Sequence, residues 1–113
     1  MTTGKRIFKL VQFETSSDDE AIIVPITEGG ASGSFSVYAR KVSGAGSATL
    51  AVSGSFKSDP ASNDLITVQA ATSVGTGAME NILGASEDNR FPYLELDLAR
   101  TGEIAVDVFV TVF

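Results

Sequence analysis

Apolar residues recur in this chain with a period of two. From Ala48 to Phe56 the even positions, Ala48, Leu50, Val52, Gly54 and Phe56, alternate with Thr49, Ala51, Ser53 and Ser55. Leu94, Leu96 and Leu98 alternate with Tyr93, Glu95 and Asp97, and Ile104, Val106, Val108, Val110 and Val112 with Ala105, Asp107, Phe109, Thr111 and Phe113. Successive side chains of a strand point to opposite faces, so this pattern specifies β-strands with one face on a core. Long windows with apolar residues at helical spacing are missing.

The reading predicts seven to eight strands. They span Arg6–Glu14, Ala21–Thr27, Ser34–Val42, Ala48–Phe56, Leu65–Ala70, Tyr93–Ala99 and Glu103–Phe113. Residues 71–91 are the least regular stretch, with room for one helical turn around Ala78–Leu83 or for a short strand. Pro25 predicts an edge position for the second strand, because proline has no N–H to give a ladder. Phe8 and Leu10 fall on one face of the first strand and Ile7, Val11 and Phe13 on the other, which predicts cover on both sides. Ser43-Gly44-Ala45-Gly46 has hairpin length and marks the third and fourth strands as a hairpin pair. Asp59-Pro60 and Asn63-Asp64 make a turn, and Arg100-Thr101-Gly102 makes another. Turn signals every 8–12 residues predict an antiparallel β-sandwich or jelly roll, two strand orders that the spacing does not separate. The 113 residues fit a single domain spanning 1–113.

The chain contains no His and no Cys. It therefore lacks the commonest general base, the commonest transition-metal ligand and any thiol nucleophile. The expectation is a protein that is not an enzyme and has no cofactor or metal. Net charge is −6, which argues against nucleic acid as the main partner. Charge is unevenly placed. Residues 1–13 carry Lys5, Arg6 and Lys9 and no acid, while the remainder carries five bases and fourteen acids. The longest apolar run, Ala21–Val24, is far below the roughly 20 residues of a membrane helix, and Lys9 and Gln12 break any signal-peptide core. No membrane partner is expected.

Several polar groupings are weighed as sites. Glu95 and Asp97 lie on one strand face at a separation of about 7 Å, a spacing open to glycosidase chemistry but more simply a solvated face. Asp18-Asp19-Glu20 and Asp59…Asn63-Asp64 offer oxygen ligands without Ca²⁺-loop spacing, and turn hydrogen bonding explains them. Gly75-Thr76-Gly77 lacks the remainder of a phosphate loop. Lys5, Arg6 and Lys9 suit a weak, salt-sensitive phosphate contact, a charged edge, which discourages sheet-to-sheet pairing, or docking to an acidic protein surface, including a neighbouring copy. Phe109 to Phe113 is apolar on both faces. Either that strand is central in the sandwich, with Phe109 and Phe113 packed there, or another chain covers it.

From Phe35 onward the order of segments carries a resemblance. It runs through Ser-Ala-Thr-Leu-Ala-Val-Ser-Gly-Ser (47–55), an Asp-rich turn, Leu-Ile-Thr-Val (65–68), Phe-Pro-Tyr-Leu-Glu-Leu-Asp-Leu (91–98), Thr-Gly (101–102) and a valine-rich last strand. This resembles small β-sandwich structural proteins of tailed bacteriophages, especially capsid decoration (cement) proteins, over residues 35–113. The resemblance implies a homo-oligomer, a trimer by preference, bound to a major capsid protein on the exterior of the virion. It implies no catalytic residue. A carbohydrate-binding or adhesive sandwich is the alternative, with Tyr38 and Tyr93 as outward aromatic side chains for a sugar face.

Overall fold

The pairing of the strands is nested. In the computed structural model, which describes residues 7–26, 35–75, 80–83 and 91–112, eight strands are present: β1 (Ile7–Ser16), β2 (Glu20–Pro25), β3 (Phe35–Ser43), β4 (Ser47–Ser55), β5 (Ile66–Ser73), β6 (Glu80–Leu83), β7 (Tyr93–Thr101) and β8 (Ile104–Val112). β1 pairs with β8, β2 with β7, β3 with β6 and β4 with β5, all antiparallel. The chain is thus one long hairpin rolled up on itself. Lateral pairing of β3 with β8 and of β4 with β7 closes two four-stranded sheets, β1-β8-β3-β6 and β2-β7-β4-β5. This is the eight-stranded, two-sheet jelly roll, and it settles the strand order that spacing had left open.

The core forms where the inward parities of the two sheets meet. Phe35, Val37 and Ala39 from β3 and Val106, Val108 and Val112 from β8 face Leu50 and Val52 from β4 and Leu94, Leu96 and Leu98 from β7, all with no exposed area. These are the positions that alternation assigns inward. β2 is an edge strand as Pro25 requires, and Pro25 sits at its last ladder position opposite Tyr93.

Three expectations are corrected. β3 and β4 are not a hairpin: they lie in different sheets, and residues 44–46 carry the chain across the sandwich. Gly44 and Gly102 both have positive φ, 102° and 79°, a region that L side chains avoid. The Gly46 N–H donates to the Glu103 carbonyl at 2.8 Å. That bond ties the β3–β4 crossing to the β7–β8 crossing, so the two glycine turns serve each other. Of the two readings open for residues 71–91, the short strand is the one formed, as β6 at residues 80–83. Arg100 and Thr101 belong to β7, and the turn that follows is Gly102-Glu103. The first strand is not covered on both sides. Phe13 is buried, whereas Phe8 and Leu10 are 75% and 52% exposed.

Gly54 sits where the core leaves no room for a side chain. A Cβ there would fall inside the van der Waals envelope of the Phe91 ring, which in turn meets Phe56 edge-on at 5.6 Å. Gly54→Ala is expected to cost about 1–3 kcal/mol through overpacking, read as a lower urea midpoint with an unchanged slope.

Candidate interaction surface

Outward parity builds two different faces. On the β1-β8-β3-β6 sheet, register sets Phe8 beside Thr111 and Ser36, then Leu10 beside Phe109 and Tyr38, then Gln12 beside Asp107 and Arg40. Leu10, Phe109 and Tyr38 therefore form an apolar row across three strands, with Phe8 diagonal to it. Phe109 and Tyr38 are half-buried, Phe8 and Leu10 exposed. The Arg40 guanidinium lies 5.7 Å from the Phe109 ring centroid, a cation–π contact that partly caps the ring.

The outer face of the other sheet carries the acidic pair Glu95 and Asp97 among mostly small side chains, with Ile23 and Tyr93 as its larger ones. Its rows run Ile23–Glu95–Ser53–Thr67 and Ala21–Asp97–Ala51. Glu95 is held above the usual carboxylate range, first by partial burial and then by the charge of Asp97. The Glu95/Asp97 pair thus sits on one flat face as the spacing predicts. Tyr93 shares this face and Tyr38 the opposite one, so the two tyrosines cannot form one sugar platform.

The sequence-predicted site residues separate. β8 is central in its sheet, between β1 and β3, which places Phe109 at the middle of the exposed row; Phe113 lies outside the described residues. Lys5 and Arg6 also lie outside them. Lys9 is on the edge strand β1, where it lines an open groove with Val11, Ile22 and Val24 between β1 and β2. Among the described residues no group of three or more His, Cys, Asp or Glu can hold a metal ion. Asp64 is instead a turn residue. Its carboxylate accepts from the Ala61 N–H at 2.9 Å and from Lys57, and these contacts, the backbone bond first, hold its pKa below the usual range.

Sequence reasoning missed Arg100. Its side chain has no exposed area. Nη1 donates to the carbonyls of Glu14 (2.7 Å), Ser16 (2.9 Å) and Ile104 (3.0 Å), and Nη2 donates to Glu20 Oε1 at 2.6 Å. The Arg100 N–H donates to Asp19 Oδ1 at 2.8 Å, and the guanidinium stands 5.9 Å from the Phe13 ring centroid. Nε has no partner. The contacts reach β1, β2 and β8 from β7, so one cation clasps both sheets at one end of the sandwich. The signal was present: Arg100 continues the inward parity of Leu94, Leu96 and Leu98.

No protein-family model matches the chain. No curated protein matches it in sequence. In fold it is similar to the Yersinia pseudotuberculosis-derived mitogen, at TM-score 0.52 and 9% identity, over 98% of this chain and 88% of that one. That likeness speaks for the fold alone. Two chains of infectious bursal disease virus align more loosely. The Gt strain structure gives TM-score 0.34 and 14% identity over 93% of this chain and 33% of that one. A mutant VP2 protein from derived T=1 particles gives TM-score 0.32 and 14% identity over 93% of this chain and 32% of that one. This chain spans about a third of those virus chains.

Two outcomes follow from these contacts. Arg100→Met is expected to cost about 3–5 kcal/mol, because it strips the donor from the buried Ile104 carbonyl and the partly buried Glu14 and Ser16 carbonyls. Glu20→Gln is expected to cost less, since the carbonyls remain and Glu20 is half-exposed; paired urea titrations measure both. For Glu95 the folded-state pKa is raised, so its contribution is fully present below the ordinary glutamate value and is lost as pH rises through the folded one. Asp97→Asn therefore raises the melting temperature at pH 7 and has a smaller effect below pH of about 4.

Proposed function

We propose that the chain is a non-enzymatic structural protein of a phage particle, binding and stabilising the capsid shell as a homo-oligomer. Fold alone does not assign function. The observation that carries the reading is the uncovered apolar row Phe8, Leu10, Phe109 and Tyr38 on a sheet whose other side is already committed to the core. Exposed contiguous apolar surface on a small domain marks a contact with another macromolecule. The jelly-roll order supports the reading, since viral capsid domains use it, as does the resemblance of residues 35–113 to decoration proteins. On a shell lattice, many individually weak contacts of an oligomer add through effective concentration. Lys5, Arg6 and Lys9 are the charges proposed to face an acidic patch of the shell or of a neighbouring subunit.

A second reading has one observation in its favour. Jelly rolls also serve as lectin domains, and Phe8, Phe109 and Tyr38 stand on one face beside the polar Gln12, Asp107 and Arg40. Apolar sugar faces stack on such rings.

Co-sedimentation with empty, undecorated phage shells tests the first reading. Saturable binding is expected, and Lys5/Arg6/Lys9→Ala is expected to weaken it more at low salt than at high salt. Shells that never retain the protein, with a glycan array on which Tyr38→Ala abolishes a signal, would transfer the face to the sugar reading.

A further inference from the structure

The two sheets have four edges, and three of them are blunted. β2 ends in Pro25. β5 breaks register twice against β4, and its Gln69 and Thr72 side chains turn back onto the Ala70 carbonyl. β6 is four residues long. Natural sheets use these devices, proline, bulges and short strands, to prevent unwanted pairing. β1 has no proline, bulge or shortening over its first seven residues, and its one edge charge there, Lys9, lines the groove with Val11, Ile22 and Val24. Ile7–Phe13 pairs with β8 in unbroken register, and the irregularity comes only after Phe13. It contains no proline or glycine, and it exposes Phe8 and Leu10. A long edge in unbroken register, with exposed apolar side chains, is a template for another strand.

We propose that β1 pairs antiparallel with β1 of a second copy of this chain about a two-fold axis at Leu10, joining two β1-β8-β3-β6 sheets into one eight-stranded sheet. The register follows from the strand itself. Leu10 is the midpoint of the unbroken Ile7–Phe13 stretch, so centring there gives the longest overlap. Leu10 then opposes Leu10 of the second copy, Phe8 opposes Gln12, and Lys9 opposes Val11. Shifting the axis to residue 9 would set Lys9 against Lys9, and like charges directly opposite are destabilising. The charge order along the chain agrees. Basic Lys5 and Arg6 precede the Ile7–Phe13 stretch and acidic Glu14 and Asp18 follow it, so an antiparallel pair runs basic end against acidic end. The axis also brings the two Phe8, Leu10 and Phe109 sets together as one apolar strip. Closed two-fold symmetry uses the same patch on both copies and leaves no further β1 edge to propagate.

This contact deepens the homo-oligomer part of the proposed function and does not depend on shell binding. It makes the unit a dimer, in place of the trimer that the resemblance implies. A seven-residue strand is about 23 Å long, so the contact falls short of the roughly 800 Å² per partner of a standard interface and the dimer dissociates on dilution.

The chain has no cysteine, which gives a direct test by single-cysteine variants under mild oxidation. Opposed Cα atoms in an antiparallel pair are about 4.5–5.5 Å apart, within disulfide range. Leu10→Cys is expected to yield a covalent dimer. Gln12→Cys alone is expected not to, because its symmetry mate lies about 13 Å away along the strand, whereas a mixture of Phe8→Cys and Gln12→Cys is expected to cross-link. Light scattering over a dilution series of the unmodified chain is expected to show a monomer–dimer equilibrium. Leu10→Lys, a change at an exposed position, is expected to abolish it while circular dichroism stays unchanged. A monomer at the highest soluble concentration, or a Gln12→Cys link as efficient as the Leu10→Cys link, would overturn the proposal. Cross-linking and light scattering are read without shells, and shell co-sedimentation is read with the unmodified chain, so this result and the shell reading fail separately.

Discussion

A single buried guanidinium holds the two sheets in their mutual position. Arg100 is sealed from solvent and bonds to the main chain of β1 and β8, which belong to one sheet, and to Glu20 of β2, in its own sheet. Burying a charge is costly unless it is fully compensated, so its place is specified by the acceptors around it. The carbonyls of Glu14 and Ser16 are available because β1 loses its ladder register after Phe13. The irregularity that ends the regular edge is therefore the same one that feeds the clasp. Beside it, the glycine turns of the β3–β4 and β7–β8 crossings bond to each other. One end of the sandwich is thus fixed by polar contacts and the middle by apolar ones.

That division leaves the outer faces free to differ. The face of β2-β7-β4-β5 carries small side chains around an acidic pair, and its two edges are interrupted. The face of β1-β8-β3-β6 carries the apolar row and ends in the one long regular edge among the described residues. Assembly through the second face requires no new chemistry, only backbone pairing and apolar burial, in keeping with a chain that lacks His and Cys. The proposed shell-binding and self-pairing roles share this surface, and the dimer arrangement presents it as a doubled strip.

Much of the fold was legible because period two states which side chains go inward, and Leu94, Leu96, Leu98, Val106 and Val108 do so. Pairing was less legible. A four-residue turn at Ser43–Gly46 has the length of a hairpin, and length does not say whether the chain returns to its own sheet or crosses to the other. The crossing is marked by positive φ at Gly44 and Gly102 and by the bond from the Gly46 N–H to the Glu103 carbonyl, a contact between segments far apart in sequence. β6 was hidden because four residues carry too little periodicity. Arg100 was read as a turn residue for its charge, although its parity was inward. Phe8 and Leu10 were read as covered, since sequence shows that a residue is apolar but not whether anything lies over it. Phe109 is expected at a packed core or an interface, and the structure places it half-buried on the outward face of the central strand β8.

Residue-resolved amide hydrogen exchange along β1 tests the central claim most directly. In an isolated sandwich only the amides facing β8 are protected, so protection alternates from Ile7 to Phe13. Pairing at the outer edge protects the intervening amides as well. Continuous protection at high concentration, reverting to alternation on dilution, is the expected result. Alternation at every concentration would contradict it and leave β1 as an unpaired edge.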